Sequence, residues 1–489
     1  MTLYESTSER PRWQGSRRLI AYNAGFRVVG RVGGGVLSLV ALHLATHYFG
    51  PRYWATVVAA VAYVSIFVPA SDLGIAAIAS RELARRDSTE RTIYGAAIVG
   101  SLLSSLGGSG IMAAVGSLIY LGHPTVRAFA YLLAPLIIAT AVWTASSAVL
   151  VAHSRNDIRA VIDVSSSVVL LGGVILVSHL RLGREAYLGA VVASSASAAV
   201  LGLAFARRYV RPSFKGARST VAKLWSSARS VAIAQMLAAV YLRADTILLF
   251  LMSGMASVAF YGVAFQLAIF AMSVPGILMS AVLPAYISAS TERREQLLQA
   301  ALDVAVSLAA ITPLLVGLLA APMVRLVAGS HFLPAVPLLA ILGGAIALAL
   351  PNGVFYSALI LDGHERLVMR TVGTVTAVNI IGNLAFIPLF GASAAAGVMI
   401  VSELAAVVAN GRAYRRATTR FPSMKQSAVS VSVAAAISAV LEVVRRATRL
   451  GLEGGALAMM AQAVAALVAY LVALFIIRRW LRERARLAS

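Results

Sequence analysis

The chain has 489 residues, of which 60% are hydrophobic and 12% charged, with a mean hydropathy of +0.84 and a formal net charge of +23. Soluble domains carry about twice that charged fraction, so these values exclude a soluble globule and make lipid the solvent for most of the chain. The absence of cysteine excludes disulfides, thiol redox chemistry and cysteine metal sites, and the seven histidines show no ligand spacing.

Apolar runs long enough to cross a core roughly 30 Å thick fall at 22–48, 54–80, 93–121, 127–151, 159–179, 187–206, 225–252, 256–287, 297–323, 334–361, 368–390, 393–411, 427–444 and 456–477. They predict an all-α polytopic membrane protein with about fourteen transmembrane helices. The first run is too long for a signal peptide and is interrupted by Arg27 and Arg31, so it reads as a resident helix. The glycines of Val32 to Val36 (VGGGV) lie inside it with no following lysine, which suits close helix packing and not nucleotide binding. Pro275 and Pro351 fall within apolar runs and are expected to kink them.

Basic clusters precede the first run (Arg10, Arg12, Arg17, Arg18) and follow the second (Arg81, Arg85, Arg86, Arg91), the sixth (Arg207, Arg208, Arg211) and the twelfth (Arg412, Arg415, Arg416). A last cluster closes the chain (Arg478, Arg479, Arg482). With an even number of spans all five lie on one side, which the positive-inside rule makes cytoplasmic, with both termini there. Arg445, Arg446 and Arg449 run against this assignment. Charge is therefore topology, and no nucleic-acid partner is expected.

The stretch SAVLVAHSRNDIRAVIDV from Ser147 returns in altered form as SALILDGHERLVMRTVGT from Ser357, and LAFARR ending at Arg208 answers NGRAYRR ending at Arg416. A spacing of about 210 residues implies two related halves. Six helices per half start both on the same side, so a pseudo-twofold axis along the membrane normal should relate two six-helix bundles. The expected division is 1–212, 213–421, and 422–489 for two extra helices and a basic tail. No loop leaves room for an extramembrane catalytic domain and no nucleotide-binding motif is present, so a transporter, not an enzyme, is expected, without a cofactor.

SDLGIAAIASRELARR (Ser71 to Arg86) and NIIGNLAFIPLFGASAAAGVMIVSE (Asn379 to Glu403) carry a family pattern, as do ADTILL (Ala244 to Leu249), Tyr261, Leu283 and Pro284. In these residues the chain resembles oligosaccharide-lipid flippases of the Wzx type, in the multidrug/oligosaccharidyl-lipid/polysaccharide exporter superfamily. The resemblance implies two bundles around a central cavity and an undecaprenyl-pyrophosphate-linked sugar as cargo.

Arginine at a helix centre costs about 2.5 to 3.5 kcal/mol on insertion scales, so Arg27, Arg31, Arg229 and Arg243 need a partner, a wet cavity or an anionic cargo. Arg27 and Arg31, four apart, share a helix face, and guanidinium groups match pyrophosphate oxygens in pairs. Arg27 and Arg229 have snorkelling to the surface as an alternative, and Arg243 has a clamp with Asp245 or Asp72. Asp72, Asp245 and Glu403 are candidates for coupling to H+ or Na+. Their alternatives are a helix end for Asp72, neutralising Arg243 for Asp245, and a packing hydrogen bond for Glu403. Gln235, Gln266, Tyr63, Tyr261, Asn379 and Asn383 divide between sugar contacts and helix-to-helix bonds.

The reading is a flippase acting by alternating access in a bacterial cytoplasmic membrane, with lipid-linked oligosaccharide, membrane lipids and other polysaccharide-assembly proteins as partners. Its rivals are a peptidoglycan lipid-precursor flippase, an ion-coupled multidrug exporter of the same superfamily, and a membrane glycan polymerase or ligase.

Overall fold

A computed structural model describes residues 17–85, 88–287, 289–417, 425–447 and 456–487. Helix and turn account for all its regular structure among these residues. The helices are α1 (Arg17–Phe67), α2 (Ile75–Leu83), α3 (Glu90–Ile119), α4 (Pro124–Leu132), α5 (Ala134–Ala152), α6 (Asn156–His179) and α7 (Arg184–Ala206). They continue with α8 (Ala217–Met252), α9 (Met255–Met272), α10 (Val274–Ile287), α11 (Thr291–Ala328), α12 (Ala335–Leu361), α13 (Glu365–Ala417), α14 (Lys425–Ala447) and α15 (Ala456–Leu487).

Eleven helices among the described residues are long and apolar enough to cross a membrane, against fourteen expected spans. The difference has a local cause. α1 and α13 each hold two expected spans across a glycine with non-helical backbone, Gly50 (φ 68°) and Gly391 (φ 56°), where an L side chain is strained. In α13 the two halves lie side by side: a Cβ on Gly382 would sit 3.0 Å from Val398, sixteen positions on. α14 carries only a short apolar stretch, Ala428–Val440.

We group α1 to α7 as a first lobe and α8 to α13 as a second, with α14 and α15 packed on α11 through Ile311, Val433, Tyr470 and Leu474. The largest apolar cluster crosses the lobe boundary, joining Ala41, Ala45 and Val57 of α1 to Tyr261, Phe265 and Ala268 of α9. Glycine sets how closely helices approach. A Cβ on Gly35 would come within 2.5 Å of the Phe270 ring of the other lobe, the close packing expected of VGGGV. Pro275 falls where the eighth expected span restarts as α10, whereas Pro351 sits inside a continuous α12.

At Gly95 the neighbour cannot yield. Its Cβ would stand 2.0 Å from the Ser213 carbonyl oxygen, and Ser213 is itself held by a 2.8 Å bond from its N–H to the Arg91 carbonyl. Gly95→Ala is expected to destabilise the protein by about 1 to 3 kcal/mol. Gly107→Ala, in the same helix with nothing within 4 Å, is expected to stabilise by about 0.5 to 1 kcal/mol. Thermal unfolding of the two purified variants checks the pair.

Candidate functional site

A cavity of about 270 Å³ lies between the lobes, walled by α1, α6 and α7 on one side and α8 and α9 on the other. Its lining is apolar and aromatic, with Trp54, Tyr187 and Phe265, and its polar groups are Ser38, Arg243, Thr246 and Gln266. The Arg243 guanidinium stands over the Phe265 ring at 6.0 Å and belongs to none of the ion pairs among the described residues. The buried Trp54 indole N–H has no hydrogen-bond partner among the described residues.

Arg243 and Asp245 do not clamp each other. Two positions apart on a helix, they face different sides. Asp245 points into its own lobe, fully buried, and accepts the Tyr261 hydroxyl, the Thr246 N–H at 2.6 Å and the Thr246 hydroxyl at 3.2 Å. Tyr261 stacks on Phe265, with ring centroids 5.4 Å apart. The cavity cation and the buried carboxylate are thus joined through two aromatic rings.

A second hollow, about 320 Å³, opens between α1 and α6 and is lined by Arg31 with Asn156, Arg159, Asp163 and Ser167. It lies about one helical turn along α1 from the first: Gly34 lines one, Ser38 the other, and the Ser38 hydroxyl donates to the Gly34 carbonyl at 2.8 Å. Arg27 precedes Arg31 by a turn, but its side chain lies outside the described residues. Arg229 is exposed on α8 and lines neither cavity. The four arginines therefore do not form one cluster: Arg31 and Arg243 occupy neighbouring compartments.

The three carboxylates are buried and none forms an ion pair among the described residues. Asp72 accepts the Ala76 N–H at 2.7 Å and so caps α2; it is not paired with Arg243. Glu403 accepts the Tyr241 hydroxyl at 2.8 Å and the Asn352 amide at 3.1 Å. Asn352 in turn accepts from Asn410 at 2.8 Å, and Asn410 accepts the Thr371 hydroxyl at 2.7 Å. This chain ties α8, α12 and both halves of α13 together. Sequence reasoning passed over Asn352, Asn410, Thr371 and Tyr241, although Asn352, a polar residue after Pro351 in a long apolar run, was a readable signal. Glu403→Leu leaves the Tyr241 and Asn352 donors unmet and is expected to cost about 1 to 3 kcal/mol; thermal unfolding measures it, with a smaller loss for Glu403→Gln.

Of the remaining polar candidates, Tyr63 bonds helix to helix and Asn379 bonds across the fold of α13, while Asn383 bonds within its own helix. Tyr63 donates to the Met112 carbonyl at 2.6 Å, Asn383 to Asn379 at 3.0 Å, and Asn379 to Ser402 at 3.2 Å. Gln266 faces the inter-lobe cavity and Gln235 is exposed.

The lobes touch at both ends of the cavity. On the arginine-rich face, Arg81 of α2 pairs with Glu365 of α13 at 3.2 Å, and the Trp225 indole donates to Ser104 at 3.3 Å. On the opposite face, His43 of α1 meets the Leu326 carbonyl at 2.6 Å, and Tyr120 and His123 pack edge-on against Phe250.

The sequence model of a family described as "Polysaccharide biosynthesis protein" matches residues 20–291. No curated protein matches the chain. Among solved structures, the lipid II flippase MurJ in an inward closed conformation is similar with a TM-score of 0.74 and 15% identity over 93% of this chain and 99% of its own. An inward-facing multidrug resistance MATE family transporter of the MOP superfamily has a TM-score of 0.63 and 13% identity over 81% and 98%. The MATE multidrug transporter DinF-BH has a TM-score of 0.65 and 16% identity over 84% and 98%. At these identities the structural likeness establishes the two-lobe transporter fold. The family match covers more than half of the chain, which therefore belongs to the polysaccharide biosynthesis protein family, as a multi-pass membrane protein.

Proposed function

We propose that this protein moves an undecaprenyl-pyrophosphate-linked oligosaccharide from the cytoplasmic to the outer leaflet of a bacterial cytoplasmic membrane by alternating access. The observation that carries this reading is the cavity between the two closures, with Arg243 facing it outside every ion pair among the described residues. A cation kept in a membrane cavity without a salt-bridged carboxylate suits an anionic cargo. Arg31 in the adjoining hollow supplies a second guanidinium, with Arg27 a turn away, while Arg229 meets the cargo at the cytoplasmic entrance. Trp54, Tyr187 and Gln266 offer ring faces and donors to sugar hydroxyls. The polyprenyl tail stays in lipid.

Both termini lie in the cytoplasm, as the basic clusters direct. Asp72, Asp245 and Glu403 are the residues through which H+ or Na+ drives the cycle, and other polysaccharide-assembly proteins supply and receive the cargo. The MurJ-like fold supports a peptidoglycan lipid precursor as the second reading.

Native mass spectrometry of the purified protein tests the cargo class. A co-purifying lipid-linked oligosaccharide, displaced in Arg243→Ala, is the expected result, and its mass separates the two precursors. Retention of a cationic dye with no affinity for pyrophosphate lipids would instead make the protein an exporter.

A further inference from the structure

α11 ends at Ala328, and the carbonyls of its last turn lie beyond the reach of helical N–H groups. The Gly329 N–H turns back to Val324 and Arg325, so the Leu326 and Val327 carbonyls have no backbone donor among the described residues. α1 of the first lobe meets them instead. His43 Nδ1 stands 2.6 Å from the Leu326 oxygen and the Thr46 hydroxyl 3.4 Å from that of Val327. His47, one turn beyond His43, lays the Nε2 edge of its ring against Gly329.

These contacts settle which nitrogen of each ring carries the proton. A carbonyl oxygen only accepts, so His43 Nδ1 donates to Leu326, and His47 Nδ1 donates to the His43 carbonyl at 2.8 Å. In the neutral rings both Nε2 atoms then keep bare lone pairs. Neither has a hydrogen bond among the described residues. Four positions is too common a spacing to mark a site in a sequence; the two carbonyls give this pair its meaning.

Residues four apart share a helix face, and the two ring centroids are 4.1 Å apart. Imidazole nitrogens bind zinc at about 2.0 to 2.1 Å, so rings this close reach one ion by small rotations. A metal-bound imidazole regularly gives its other N–H to a carbonyl, and histidines four apart on a helix are a recurrent zinc pair. Gly329 supplies the room, because a Cβ there would stand 2.6 Å from His47 Nε2. The negative end of the α11 dipole favours a cation at this spot. Nitrogen donors suit zinc, copper or nickel, whereas magnesium and calcium take oxygen. No three His, Cys, Asp or Glu side chains gather as a metal set among the described residues, so water completes the coordination and the ion stays exchangeable.

We propose that His43 and His47 form a binding site for zinc or a similar transition-metal ion, at the junction of the lobes opposite the arginine-rich face, and that the bound ion holds this junction shut. A metal on His43 Nε2 keeps the proton on Nδ1 and strengthens its donation to Leu326, while Gly329 covers the ion from the second lobe. Neither histidine lines the inter-lobe cavity, and binding needs no cargo, so this inference and the proposed function fail separately.

Equilibrium dialysis of radioactive zinc against the purified full-length protein in nanodiscs, with any affinity tag removed, tests the site. Wild type should bind an equivalent saturably in excess magnesium. His43→Gln and His47→Gln should each bind it about tenfold more weakly or worse, no less than the loss of an outer-sphere partner costs. His47 is exposed, so its variant should melt like wild type without zinc, which keeps the test sound if His43→Gln folds poorly. His123→Gln and His331→Gln should retain the equivalent. Spin labels on cysteines placed at Leu182 and Leu326, one in each lobe, should move to shorter distances when zinc is added, and should not do so in His47→Gln. No saturable binding by wild type, binding undiminished in both His43→Gln and His47→Gln, or a zinc-induced move to longer distances would overturn the proposal.

Discussion

Replacing Arg31 and Arg243 together by alanine is expected to lower cargo translocation by about 100-fold or more while leaving the protein as stable as wild type or more so. A charge-assisted contact to a phosphate contributes about 1.5 to 3 kcal/mol, and 1.4 kcal/mol is tenfold, so two lost contacts account for the drop. Stability moves the other way because an arginine at membrane depth costs about 2.5 to 3.5 kcal/mol, and Arg243 belongs to none of the ion pairs among the described residues. Transport by reconstituted protein and thermal unfolding of the same preparation check both halves. Lysine at either position should restore part of the activity, since it returns the charge without the paired donors. A double variant that transports normally, or that simply unfolds, contradicts this role.

A tether across the lobes is expected to abolish transport outright. The chain has no cysteine, so cysteines placed at Arg81 and Glu365 can be bridged by a short cleavable thiol reagent without background. Alternating access requires these residues, 3.2 Å apart at their charged ends, to separate in each cycle. Bridging should stop translocation, and cleavage of the reagent should restore it. A bridge between His43 and Leu326, on the opposite face, should act the same way. One between Tyr48 and Leu182, which are hydrogen-bonded within the first lobe, should not. Continued transport with either lobe-to-lobe bridge in place would show that the lobes do not move apart there.

The fold was largely legible because lipid leaves few solutions: apolar length and basic flanks mark the spans, and the echo of Ser147 at Ser357 marks two halves. Breaks inside apolar runs were harder. The run 54–80 is apolar throughout apart from short polar positions, yet Pro69 and the positive φ of Leu73 and Gly74 end its helix. The arginines were singled out as costly, but burial cost says nothing about which of them meet. Helical geometry alone separates Arg243 from Asp245, a step available from the sequence. The Glu403 chain was not available in this way. Its members, Tyr241, Asn352, Thr371 and Asn410, are scattered over more than 160 residues and meet only once α13 has folded back at Gly391.

The most direct test of the account is the leaflet distribution of lipid-linked oligosaccharide in cells depleted of this protein. Accumulation on the cytoplasmic leaflet, cleared by wild type but not by Arg31→Ala or Arg243→Ala, is the predicted result. An unchanged distribution, with altered sensitivity to cationic drugs in its place, would contradict it.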